Sequence, residues 1–213
     1  MRGLGSLERS FVGHRTLATL FAAVAAFLLL ASPAAAQFSD SYKFLKAVRD
    51  NDGNTVTEML QKPGSTLINT KDFSSGETAL HIVVKRRDVQ WLAFLLGKGA
   101  DPDVRDGEGN TPMLVAAQLR FADGIQTLIS GKASVDAENG RGETPLIVAV
   151  QNRDMTSVRI LLGAGANPNK PDRIAGMSAR DYAARDSRSG AILKMIEDAK
   201  AAKPKGPVAG PVF

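Results

Sequence analysis

The sequence predicts an all-α repeat solenoid, and three observations carry that prediction. The segments Gly76-Glu77-Thr78-Ala79-Leu80-His81, Gly109-Asn110-Thr111-Pro112-Met113-Leu114 and Gly142-Glu143-Thr144-Pro145-Leu146-Ile147 place their threonines 33 residues apart, then 33 again. A fixed period between about 20 and 50 residues marks one supersecondary unit stacked many times. After each threonine comes a small apolar pair, Val83-Val84, Ala116-Ala117 and Ala149-Val150. An aliphatic block follows: Leu92/Leu95/Leu96, Ile125/Leu128/Ile129 and Val158/Leu161/Leu162. Its i, i+3, i+4 spacing is one stripe of a helix, which only a neighbouring unit can cover.

Taken in chain order, the elements follow from local chemistry. In the first unit, Tyr42 to Arg49 reads as a first helix with Ala47-Val48 as its small pair. Val56, Met59 and Leu60 form the second stripe, and Lys62-Pro63-Gly64-Ser65 starts a longer connection. In the next three units Thr78, Thr111 and Thr144 are natural N-caps, each hydroxyl satisfying an orphan backbone N–H. Pro112 and Pro145 follow at N1, where the missing N–H costs nothing. Gly99 and Gly165 supply the left-handed residue that stops a second helix. The third unit holds Lys132 in that slot, with Gly131 one position early. A fifth unit realigns over Gly176 to Ala184 after one inserted residue near Arg173 to Ala175, with Ile192, Met195 and Ile196 as its stripe. The outermost units are atypical, as expected where one side faces water.

The Thr-Pro-like start, the 33-residue period and the Gly-Ala-Asp-Pro ending at Gly99 to Pro102 together resemble the ankyrin repeat. The resemblance implies about five helix-turn-helix units over residues 37–199, joined by short β-turn-like loops, and a surface for binding rather than chemistry. The chain departs from the family between the two helices of a unit. There the usual Gly-His is Arg87-Asp88, Arg120-Phe121 and Arg153-Asp154. A left-handed non-glycine residue at such a turn costs roughly 1–2 kcal/mol.

The front of the chain reads as a removable leader. Met1, Arg2, Arg9, His14 and Arg15 precede an apolar run from Thr16 through Ala31; Ser32-Pro33 breaks it, and Ala34 and Ala36 stand at −3 and −1 before Gln37. This is the pattern of a bacterial Sec signal peptide over residues 1–36. An uncleaved anchor is the alternative, but the run is short against the roughly 20 residues a spanning helix needs. The expectation is a periplasmic or secreted protein with no stable membrane anchor. With 27 Lys+Arg against 22 Asp+Glu the chain is basic, but removing residues 1–36 leaves 24 against 21, an ordinary solvated surface. Residues 200–213 mix lysine with Pro204, Pro207 and Pro211, a composition expected of a disordered tail. Three lysines neutralise few phosphates, so no nucleic-acid partner is expected.

Catalytic chemistry finds few residues to work with. There is no cysteine, and His81 is the only histidine after His14. That removes zinc sets and Cys/His pairs and leaves a Ser/His/Asp arrangement only a remote option. In its Thr-x-Leu-His context His81 resembles the structural histidine of ankyrin repeats, which holds the turn. Asp101 to Gly107 looks briefly like a calcium loop, but Arg105 fills a ligand slot and no Glu closes it. No cofactor and no enzyme activity are expected.

What remains is the surface. The resemblance implies partners docking on loop tips and on the inner face of the first helices. Carried onto this chain, the tips include Arg105, Glu108, Glu138 and Arg141, and the helical row includes Lys85, Arg86, Gln118, Leu119, Gln151 and Asn152. Any one of these fits a merely solvated face; the row as a set fits a working surface, because a solenoid's concavity is its usual one. Trp91 stays open between a core residue and an exposed anchor. The reading is a monomeric, non-enzymatic module that binds another protein in the periplasm as scaffold, inhibitor or protective factor; the alternative is an exported effector that binds a host protein.

Overall fold

A computed structural model of the chain describes residues 32–202, with side chains from 40 to 199. The chain divides between Lys43 and Phe44. Of the leading part, the described residues form the start of helix α1 (Ser32–Arg49), which also contains the expected processing site at Ala36–Gln37. Residues 1–31, where most of the expected signal peptide falls, lie outside the described residues, as do 203–213 of the expected tail.

From Phe44 onward the helices come in pairs. After α1 come α2 (Gly53–Gln61), a 3-10 turn (Leu67–Asn69), α3 (Ala79–Lys85), α4 (Val89–Gly97), α5 (Pro112–Gln118) and α6 (Ala122–Ser130). Then follow α7 (Pro145–Gln151), α8 (Met155–Gly163), α9 (Ala179–Arg185) and α10 (Gly190–Ala202). First helices stack in one row, α3 on α5, α5 on α7, α7 on α9. Second helices stack in another, α4 on α6, α6 on α8, α8 on α10. This is the expected all-α solenoid of five units.

Each sequence device does its local task. Thr111 and Thr144 accept from the amides of Leu114 and Ile147, with proline at N1. Thr78 and His81 cap each other reciprocally, and Ser178 with Asp181 repeats that box in the fifth unit. The small pairs are buried throughout, with Val83, Val84, Ala116, Ala117 and Ala149 at 0 % exposure. In the first four stripes the first two positions are buried and the third is half-buried, as where Val158 and Leu161 are at 0 % and Leu162 packs at the margin; in the fifth, Ile192 and Ile196 are buried and Met195 is half-buried. α10 runs on to Ala202 and takes in Lys200, which the sequence reading gave to the tail. No glycine stands at Ala199, the position matching Gly165, so the helix continues.

The turns inside each unit are left-handed at Asn51, Arg87, Arg120 and Arg153, with φ of 62°, 57°, 52° and 52°. The strain expected at the arginines is therefore present. Lys132, at φ 64°, likewise adopts the conformation that Gly99 and Gly165 take in their own units.

Candidate protein-binding surface

Four loops, at 72–77, 106–110, 139–143 and 172–177, each open on an Asx residue. Asp106 Oδ1 accepts from the amides of Glu108 and Asn110, and Asn139 Oδ1 from those of Arg141 and Glu143. Asp72 accepts from Ser74 and Ser75 and pairs with Arg49 at 2.6 Å. Asp172 accepts from Ile174, Ala175 and the Tyr182 hydroxyl. The Ser74 hydroxyl, then the Arg49 guanidinium, hold the Asp72 carboxyl well below the ordinary range. Burial pushes Asp172 up, but the Tyr182 hydroxyl and the Ala175 and Ile174 amides outweigh it and leave it lowered. A short hairpin closes each loop, with amides of Asp72, Asp106, Asn139 and Asp172 donating to carbonyls of Glu77, Asn110, Glu143 and Met177.

Neighbouring loops are stitched together. The Gly107 amide donates to Ser75 O at 2.8 Å and the Arg173 amide to Arg141 O at 2.9 Å. Lys71 reaches Arg105 O at 2.7 Å, and Arg105 in turn donates to Glu138 O. Glu138 takes Lys170 and Arg173 at 2.7 and 2.8 Å. Arg141 forms a fork on Glu143, with contacts of 2.8 to 3.1 Å. Of the predicted tip residues, Arg105, Glu138 and Arg141 thus hold the loops together. Glu108 accepts from the Asn110 side chain.

The helical row is similarly engaged. Lys85 pairs with Glu77 and Gln118 reaches Asn110 at 3.4 Å, each spanning from the end of a first helix to the residue before its N-cap. Gln151 interacts with the Tyr182 hydroxyl. Arg86 donates to Val48 O at 2.8 Å and to Asn51 at 3.1 Å, so it caps the preceding unit. Asn152 does the same for α5, contacting Ala117 O and Gln118 O. Leu119, between them in register, is half-buried against the core. Lys85 and Gln118 are thus held within their own units, whereas Arg86, Gln151 and Asn152 join neighbouring units. Trp91 is half-buried: the Arg86 guanidinium lies 5.6 Å from its ring and Phe94 meets it edge-on at 5.7 Å.

His81 is buried, its Nδ1 accepting from Thr78 and its Nε2 donating to Asn110 O at 3.0 Å. It thus ties one unit to the next. Burial lowers its proton affinity. Among the described residues no three His, Asp or Glu side chains converge as metal ligands. In the calcium-like segment, Asp101 caps the Asp103 amide and Asp103 takes the Ser134 amide from the next loop.

Sequence reasoning missed three residues on this surface. Asn110, Asn139 and Glu143 form a buried polar cluster, with Asn139 donating to Glu143 at 2.8 Å. The recurrence of Asx at 72, 106, 139 and 172 was the available signal. Phe73 and Ile174, exposed at 94 % and 78 %, stand at the tips of the two longer loops. Only the register of those loops shows that neither side chain turns inward.

Paired helices, stitched loops and a shared capping device define an α-helical repeat protein. The profile of the family described as Ankyrin repeats (3 copies) matches residues 44–139 and 92–172. The chain belongs to the ankyrin-repeat family. Stretches of it are similar to the human 2-5A-dependent ribonuclease (33 % identity over 82 residues, 38 % of this chain and 11 % of that protein). Stretches are also similar to the oxysterol-binding protein homolog 1 of Saccharomyces cerevisiae (33 % over 84 residues, 38 % and 7 %) and to an L-asparaginase of Dirofilaria immitis (45 % over 56 residues, 26 % and 9 %). The chain spans about a tenth of the length of these relatives, and what is shared is the repeat array. Ankyrin repeats are protein-binding modules, generally without catalytic function.

Proposed function

We propose that the chain is exported and works in the periplasm as a monomeric, non-enzymatic protein that holds a partner protein as scaffold, inhibitor or protective factor. The observation that carries the binding reading is the pre-ordered surface between the loops and the first helices. Lys85, Gln118 and Gln151 remain solvent-facing while hydrogen bonds fix them. A surface already ordered loses less side-chain freedom when a partner arrives. The export reading is supported by the basic start, apolar run and Ala34-x-Ala36 pattern of the leader.

Photo-crosslinkers placed at Gln118, on the row, and at Gln126, on the exposed side of α6, test the surface. Specific crosslinks to another protein from Gln118 and not from Gln126 are expected; the reverse pattern overturns the reading. Fractionation with intact mass should find the chain in the periplasm beginning at Gln37. Release into the medium would favour an effector, and a leader retained in the membrane fraction would remove the export reading.

A further inference from the structure

The first and last of the four loops are matched residue for residue: Asp72 with Asp172, Ser74 with Ile174, Gly76 with Gly176, Glu77 with Met177 and Lys85 with Arg185. Their charges differ. In the 72–77 loop Lys85 is neutralised by Glu77. In the 172–177 loop Met177 stands in place of that acid, and Arg185 donates only weakly to its sulfur at 3.7 Å. Among the described residues exposed Arg185 has no carboxylate partner.

Two further guanidiniums belong to the same loop and to the loop stitched to it. Arg173 is the loop residue before Ile174, and its amide is bonded to Arg141 O, so these two arginines are neighbours. Both have exposed side chains, 66 % and 67 %, whereas their acids Glu138 and Glu143 are 21 % and 10 % exposed. The carboxylates lie beneath and the cations outside, so this end of the surface presents positive charge. At its centre Ile174 is 78 % exposed on a loop pinned by Asp172. A large aliphatic side chain held rigidly in water among arginines fits an interface anchor with charged neighbours, where Arg is a favoured contributor. Guanidiniums match carboxylates in geometry.

We propose that the 172–177 loop, with Arg141, Arg173 and Arg185, docks an acidic segment of a partner protein that carries an apolar residue for Ile174. This rests on the protein-binding reading above and names the chemistry of the partner. A polysaccharide or nucleic-acid backbone would meet the arginines but give Ile174 nothing to pack on, and base stacking calls for aromatic side chains.

The test uses the full chain and fluorescence anisotropy with a labelled Glu/Asp peptide bearing two central leucines. Saturable binding is expected, weakened at least tenfold by Arg185→Gln combined with Ile174→Ser, with an unchanged melting temperature. Phe73→Ser, which removes the exposed apolar side chain of the 72–77 loop, should leave it within about twofold. Replacing the leucines by serines should also weaken binding at least tenfold, and heparin and oligo-dT should bind no better than that serine peptide. Absence of peptide binding, an equal effect of Phe73→Ser, or equal binding of leucine-free polyanions each overturns the proposal. Crosslinking from Gln118 that persists in the Arg185→Gln, Ile174→Ser variant would leave the protein-binding reading standing while this inference falls.

Discussion

The two edges of the solenoid solve one conformational problem with different residues. On the loop edge the left-handed positions are mostly glycines, Gly76, Gly109, Gly142 and Gly176 in the loops and Gly99 and Gly165 at helix ends, with Lys132 in the matching place of the third unit. On the edge between paired helices they are Asn51, Arg87, Arg120 and Arg153. The reason is space. A Cβ on Gly76 would lie 2.5 Å from the Gly107 amide nitrogen, and one on Gly142 only 2.7 Å from that of Arg173. At Gly76, Gly109 and Gly142 the loops are stitched so closely that a side chain cannot enter, whereas a Cβ on Gly99, Gly165 or Gly176 would meet nothing within 4 Å. At the other edge a side chain has room, and most of them contribute. Arg87 bonds Leu119 O in the next unit, and Arg153 meets Asp186 at 2.6 Å. The lesson is that backbone strain of roughly 1–2 kcal/mol is retained where a long side chain can link units, and glycine is kept where backbones touch.

Breaking the loop edge should have the largest effect. Gly142→Ala adds a clash with neighbouring backbone to the conformational cost, so its loss of stability should exceed the roughly 1–2 kcal/mol of conformation alone. Gly99→Ala is the control, since no atom lies within 4 Å of its would-be Cβ; it should lose only that conformational amount. Denaturant titration of both separates the terms. Equal losses would show that the loops are not tightly apposed.

The turn edge should respond in the opposite sense. Among the described residues Arg120 has no side-chain partner, so Arg120→Gly should relieve strain and stabilise by about 0.5–1 kcal/mol after glycine's extra chain entropy is counted. Arg153→Gly should gain less, because it also releases Asp186. If both substitutions stabilise equally, the Arg153–Asp186 link contributes nothing.

The smallest effects are the pH dependences, one on each edge. His81 stitches the loop edge, and burial depresses its proton affinity below the ordinary 6.5. The unfolded chain therefore binds the proton more readily, and the stability His81 contributes is full above pH 6.5 and declines as pH falls below it. His81→Gln should flatten the stability profile in that window. Asp186 is lowered from 3.8 to about 2, first by Arg153 and then by the Arg188 amide. Its contribution is present above pH 3.8 and is lost as pH falls towards 2, and Arg153→Gly should diminish that loss. Matching profiles for wild type and both variants would remove titration from either edge.

The sequence by itself determined the repeat, because its signals are local and periodic. A threonine cap followed by proline, an i, i+3, i+4 stripe and a terminal glycine each act within one helix, and their recurrence fixes the stacking of like on like. The strain at Arg87, Arg120 and Arg153 was legible for the same reason. Tertiary structure decided what depends on distances between units. Arg86 and Asn152 read as free surface residues in the chain, yet stacking brings each onto carbonyls of the preceding unit. Leu162 and Leu161 look equivalent in sequence, and only the neighbouring helices bury Leu161 completely. Whether Phe73 and Ile174 pack inward or face solvent is set by the extra residue in their loops and the Asx turns that pin them. A side chain's partners thirty residues away are not written in its local pattern; they follow from how closely one unit can approach the next.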